Sequence, residues 1–174
     1  RLSGICESIG MEFEANNKFI NPEFNTHEKI NSADVVVAIG RGCYESMACG
    51  RPVILLDHRP YSECFSDGLL TSNIISESLK NNCSGRRFKL KPSDDDIKEW
   101  ILNSNPKLGN EMREYALEKF SISNQATRYI QIYNELSSRV PIIHDEHTKV
   151  FGSPDENHEF LVSVCVATYQ ECQF

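Results

Sequence analysis

Residues 33–52 read ADVVVAIGRGCYESMACGRP, and this stretch decides the fold because it joins a β-branched strand to a helix through a glycine-arginine-glycine turn. Val35, Val36, Val37 and Ile39 form a short continuous apolar run, the pattern of a parallel strand covered on both faces. Gly40 and Gly42 then let the backbone turn sharply and let a ligand approach the main chain. The spacing predicts a helix over 43–49, with Gly50 at its C-terminal cap and Pro52 preventing continuation. Val53 to Leu56 starts the next strand, so the unit is strand, turn, helix, strand. The first amides of such a helix have no partners within it, and with the helix dipole they favour an anion. Backbone at Gly40, Gly42 and Cys43, with the Arg41 guanidinium, is therefore the candidate phosphate cradle. Glu45 is read into the first turn, where a carboxylate accepts hydrogen bonds from a vicinal diol such as a ribose.

Outward from this unit, Leu2, Ile5, Cys6 and Ile9 suit an amphipathic helix ending at Gly10, and residues 11–15 alternate as a strand would. Residues 25–31 read as a short helix leading into the Val35 strand. Residues 57–71 read as a polar loop above the carboxyl ends of the strands, where ligands of open α/β sheets sit. Arg59 and Tyr61 lie in that loop, within reach of a ligand. A helix is expected over 73–82, a weak edge strand over 87–91, a helix capped by Ser93 and Asp96, and another starting at Pro106. Ser123 is expected to cap a last helix, carrying Ala126, Tyr129, Ile130, Ile132, Tyr133 and Leu136 into packing across the domain. The fold class implied is α/β, a parallel sheet of Rossmann-like type with flanking helices.

The 174 residues suffice for one ordinary domain, and the formal charge of −7 argues against a nucleic-acid surface, since phosphate backbones demand clustered Lys and Arg. Seven cysteines without C-x-x-C spacing fit reduced thiols in a cytoplasmic setting. No run approaches the roughly 20 apolar residues that span a bilayer, and the chain, opening on Arg1 without a signal peptide, reads as a segment of a longer protein. Asp94, Asp95 and Asp96 contain a D-x-D spacing, but they open a helix, where the dipole accounts for them. His144, Asp145, Glu146 and His147 lie in a loop with no regular element to fix ligand geometry, so no metal site is assigned. Ser84 to Arg87 reads as a surface turn with two bases.

GRGCYESMACGRPVI resembles the EAMACGxPVI segment of nucleotide-sugar glycosyltransferases of the GT-B fold. Asp57, Glu63, Asp67 and Gly68 keep the spacing of that family's DxGGxPExxxDG stretch. The resemblance implies that the loop amides bind the donor diphosphate, that Glu45 binds the nucleotide ribose, and that Arg59 and Glu63 stand near the donor. It also implies metal-independent transfer, with the acceptor held by an amino-terminal half outside this sequence. The sequence departs from the family in two places: Arg59 and Pro60 replace a glycine pair, and a shorter loop removes the first Glu of the family's Glu-x7-Glu pair, leaving strand residue Val37 eight positions before Glu45. Residues 1–136 are read as most of the nucleotide-binding half and 137–160 as a linker. Leu161 to Tyr169, LVSVCVATY, resembles the opening strand of the GT-A architecture, so 161–174 is read as the start of a second domain. The function expected is glycosyl transfer, in the cytoplasm or at a membrane surface through the parent protein. Sugar-nucleotide 2-epimerisation on the same fold and a non-catalytic scaffold are the alternatives.

Overall fold

The computed structural model describes residues 1–16, 24–59 and 61–139. The chain divides into two compact units, Arg1–Ile132 and Tyr133–Phe174. The sheet and its cores belong to the first; of the second, only the end of one helix is described. The linker 137–160 beyond that helix, the His144 to His147 cluster and the Leu161 strand lie outside the described residues.

The elements in order are α1 (Leu2–Ser8), α2 (Thr26–Ser32), β1 (Val36–Ala38), α3 (Arg41–Ala48), β2 (Val53–Asp57), β3 (Phe65–Leu69), α4 (Ile75–Leu79), α5 (Asp94–Asn103), α6 (Pro106–Phe120) and α7 (Ile122–Arg139). They make a mixed α/β fold whose three strands lie in the order β1-β2-β3, with helices on both faces. β1 and β2 are parallel, Val36 facing Val53 and Ala38 facing Leu55, and α3 is their crossover. This is the strand, helix, strand unit expected for residues 33–57.

β1 packs against both cores, Val37 on one and Ala38 on the other, but β2 is the more deeply covered strand. All five residues of β2 are buried, whereas β1 is half-buried. Alternation along β2 serves two cores. Val53 and Leu55 join Cys43, Met47, Leu70, Ile75, Cys83, Met112 and Ala116 beneath α3, α4 and α6. Ile54 and Leu56 join Ile5, Ile97 and Ile101 beneath α1 and α5.

The expectation of a parallel sheet holds for β1 and β2 only, because β3 is antiparallel to β2. β3 also lies inside the stretch 57–71 expected to be a loop. Phe65–Leu69, FSDGL, lacks a hydrophobic alternation because its buried positions are Ser66, Asp67 and Gly68, held by hydrogen bonds to other segments, with Asp67 Oδ2 left without a partner among the described residues. Ser66 Oγ donates to the Leu55 carbonyl at 2.6 Å and accepts from Gly68 N at 2.9 Å, bridging a register shift between Leu55 and Leu56. Asp67 accepts from Phe88 N at 2.8 Å. Gly68, at φ +87, leaves room for the Trp100 ring, which lies 3.5 Å from where a Cβ would stand.

Other expectations shift in detail. Residues 11–16 form no regular element, and the edge strand expected over 87–91 reduces to a single bridge between Ser66 and Leu90. The Ser93 and Asp96 capping box is present, with Asp94, Asp95 and Asp96 in the first turn of α5. Ser121 rather than Ser123 caps α7, accepting from Asn124 N. The apolar residues of α7 that belong to the first unit do not enter its core: Tyr129 is 60% exposed, and Ile130 and Ile132 are exposed as well.

Candidate functional site

The parallel pairing fixes one edge of the sheet. The parallel register ends with Ala38 facing Leu55, so Ile39 and Gly40 leave the sheet at the same end as Leu56 and Asp57. Phe65, at the start of antiparallel β3, faces Asp57, so the segment ahead of it joins the same edge. The turn into α3, the end of β2 and the approach to β3 therefore all meet at the carboxyl ends of the parallel strands.

At the first of these, Gly40 alone makes the turn. It has φ +53 and ψ −125, a conformation that side chains resist, and it is the N-cap of α3. Gly42 is already in the first helical turn, where its missing side chain serves packing: a Cβ there would stand 3.1 Å from the Ala38 Cβ. The helix thus starts two residues earlier than the expected Cys43, because Arg41 and Gly42 accept helical angles once Gly40 has turned the chain. Two consequences follow for the cradle. The Cys43 and Tyr44 amides both donate to the Gly40 carbonyl, at 3.0 and 3.3 Å, so Cys43 N is occupied. The amides of Arg41 and Gly42 have no partner among the described residues.

Glu45 falls in the second turn rather than the first and accepts a 2.7 Å hydrogen bond from Arg41 Nε, an i,i+4 ion pair. Arg41 is 86% exposed along its side chain and Glu45 31%, so the pair sits at the rim of the helix start. Such pairs stabilise a helix by about 0.2–0.5 kcal/mol, weak enough for a ligand to displace.

Behind the cradle runs a segment that periodicity did not single out. Asn82 and Cys83 take positive φ, as does Gly85. The Cys83 carbonyl accepts from Gly40 N at 2.9 Å, and Asn82 Oδ1 accepts from the Tyr44 hydroxyl at 2.8 Å. Cys43 Sγ donates to Met47 Sδ at 3.8 Å, and the neighbouring Cys83 thiol together with burial pushes the Cys43 thiol well above its ordinary range. Gly85 passes against the end of β2, where a Cβ would be 3.1 Å from Asp57 N. Positive φ at a cysteine carries no sequence signature. Asn82 and the glycine directly before Arg86 were the available clues.

Asp57, fully buried at the end of β2, gathers the second group of residues. Arg59 clasps it through both oxygens, Nε to Oδ1 at 2.7 Å and Nη2 to Oδ2 at 2.6 Å. Arg86 adds a hydrogen bond from Nε to Oδ2 and reaches Ser62 Oγ with Nη2 at 2.7 Å. The Arg59 guanidinium, with Arg86, outweighs burial and holds the Asp57 carboxyl at about 2, below its usual 3.8. The Arg59 guanidinium lies over the Tyr61 ring and that of Arg86 over the Phe65 ring, 5.5 and 5.3 Å from the centroids. Arg86, expected on a surface turn, is thus part of this cluster, while its neighbour Arg87 pairs with Glu77.

Glu63 stands apart from that carboxylate, exposed, and pairs with Lys91 at 3.2 Å. The two line a surface cavity of about 270 Å³ together with Arg1, Cys64 and Pro92. Of the residues expected at the site, Gly40, Arg41, Gly42, Cys43 and Glu45 are brought together by α3, Arg59 joins the Asp57 cluster at the same sheet edge, and Glu63 belongs to the neighbouring cavity. Among the described residues no group of three or more His, Cys, Asp or Glu side chains is placed to hold a metal ion. Nor is any helix among them long and apolar enough to cross a membrane. No protein-family model matches the chain, and no curated protein or solved structure matches it either.

Proposed function

We propose that this chain is the nucleotide-binding portion of a GT-B-type glycosyltransferase, Rossmann-like in its sheet, which holds a nucleoside-diphosphate sugar for transfer to an acceptor bound elsewhere in the parent protein. One observation carries the reading: the α3 start, within the stretch that resembles EAMACGxPVI, presents the unpartnered amides of Arg41 and Gly42 at the carboxyl edge of a parallel strand pair. In this reading the diphosphate lies on those two amides and on the positive end of the α3 dipole. Arg41 swings from Glu45 to the phosphates, and Glu45, released, accepts from the ribose hydroxyls. Leaving-group charge is then stabilised by fixed backbone donors and arginine, with no metal required. Cys43 contributes by its place in the helix rather than by its amide. Arg59 and Glu63 border the donor, and the setting is cytoplasmic or peripheral to a membrane.

Calorimetric titration of the full chain with nucleoside diphosphates and their sugars tests the proposal. Saturable binding is expected, weakened by Glu45→Ala by about 1.5–3 kcal/mol, the range for a hydrogen bond to a charged group. Affinity unchanged by that substitution sinks the ribose role. The Arg41–Glu45 pair, which gives both side chains a structural occupation, favours one second reading, a non-catalytic scaffold module. Failure to bind any nucleotide sugar would select it.

A further inference from the structure

The Asp57 cluster holds more donors than its carboxylate can use. A carboxylate offers about four acceptor positions. Asp57 receives Arg59 Nε, Arg59 Nη2, the Arg59 amide at 3.4 Å and Arg86 Nε, so it is saturated. The guanidiniums are not. Arg59 Nη1 has only a long 3.4 Å contact with the Tyr61 hydroxyl, and Arg86 Nη1 has no partner among the described residues. Two positive charges share one negative charge, and their exposures are ordered: Asp57 is 0% exposed while the side chains of Arg86 and Arg59 are 30% and 39% exposed. The carboxylate is the floor and the guanidiniums are the open face.

We infer that Arg59 and Arg86, splayed over Asp57, form an anion clamp for a phosphoryl group, a second phosphate subsite on the same sheet edge as the α3 amides. This inference deepens the proposed function and rests on it for the identity of the natural ligand, a diphosphate ester. Each guanidinium is held before any ligand arrives, by Asp57 on one edge and by an aromatic ring on one face, so a phosphate meets oriented N–H groups at little entropic cost. The subsite is also near enough to serve one ligand. Cys83 bonds Gly40 and Arg86 bonds Asp57, and three residues of chain span at most roughly 11 Å. A diphosphate seated on Arg41 and Gly42 thereby extends toward Arg86, and Tyr61 is left exposed beside Arg59 to face whatever the phosphate carries.

Titration of the full chain with inorganic pyrophosphate at low ionic strength tests the clamp. Expected is saturable binding that weakens steeply with added salt, falls about tenfold or more in Arg59→Gln, and is only partly recovered in Arg59→Lys, which keeps the charge and loses the fork. Arg113→Gln, removing a guanidinium that instead caps the Ala48 carbonyl, should leave pyrophosphate affinity unchanged. No pyrophosphate binding by the folded chain, or equal affinity in Arg59→Gln, overturns the clamp. Should Arg59→Gln not fold, Arg59→Lys decides, with affinity equal to that of the unsubstituted chain overturning it. The two proposals fail separately. Arg59-dependent pyrophosphate binding without nucleotide-sugar binding removes the glycosyltransferase reading and keeps the clamp, while nucleotide-sugar binding indifferent to Arg59 does the reverse.

Discussion

Asp57 is the residue on which most depends at the smallest scale. It is a buried charge whose cost is met by two arginines, and removing one side of such an arrangement typically costs about 3–5 kcal/mol. Asp57→Asn is expected to lose stability on that scale, measured by urea unfolding at pH 7. The acid dependence follows from the same contacts. The folded carboxyl titrates near 2 and an unconstrained one near 3.8, so the stability it lends is complete above about pH 4 and is lost as pH falls toward 2. The difference is worth about 2 kcal/mol, and Asp57→Asn should flatten this part of the pH profile. Gly40, by contrast, shows what a residue's neighbours in sequence could disclose. That a glycine turns the chain after Ile39 was legible from GRG. Which glycine does so was not, because it depends on the space between Gly42 and the Ala38 side chain, set by how α3 lies on β1.

At the scale of elements, α3 is located by its contact with α6. A Cβ on Gly109 would overlap the Gly50 carbonyl oxygen, so the two helices approach as closely as backbones allow. Gly50, at φ +74, ends α3, and Arg113 of α6 donates to the Ala48 carbonyl at that same end. Gly109→Ala must push α6 away from the unit that carries the amide cradle. We expect a loss of about 1–3 kcal/mol from overpacking, seen as a lowered unfolding midpoint, despite the better helix propensity of alanine. The helices themselves were legible, since the capping box at Ser93, Pro106 at a helix start and Gly50 at a helix end are local signals. β3 was not. Its strand character comes from Ser66 and Asp67 bonding to Leu55 and Phe88, partners distant in sequence, and no pattern within FSDGL announces them. The first part of the α7 stripe erred in the other direction: an apolar periodicity specifies a face to be covered, and Tyr129, Ile130 and Ile132 are exposed within their own unit.

For the whole molecule, β2 is the partition between two cores. Leu55 packs with Met47 and Met112 on one side, Ile54 with Ile97 and Ile101 on the other. Either residue replaced by alanine should cost about 2–5 kcal/mol in urea unfolding. The single tryptophan distinguishes them. Trp100 packs in the Ile54 core, so Ile54→Ala should alter native-state fluorescence while Leu55→Ala leaves it nearly unchanged. The site inherits its geometry from this arrangement, with Gly40 and Asp57 at the same end of the sheet because β1 and β2 are parallel. That pairing could be anticipated from a strand, helix, strand pattern. The arrival of Arg86 on Asp57 beside Arg59 could not, for it depends on the backbone reversal through Asn82, Cys83 and Gly85.

The antiparallel pairing of β2 with β3 also bears on the order in which the chain assembles. Phe65 meets Asp57 after a short connection, whereas β1 can meet β2 only once α3 has formed and crossed over. Short loops close with the least entropy lost and the fastest kinetics. The β2–β3 hairpin is therefore the natural nucleus, with the parallel strand and the turn at Gly40 added afterwards. Of the two sites proposed for phosphate, Arg59 stands in that early hairpin and the Gly40 turn comes with the later strand.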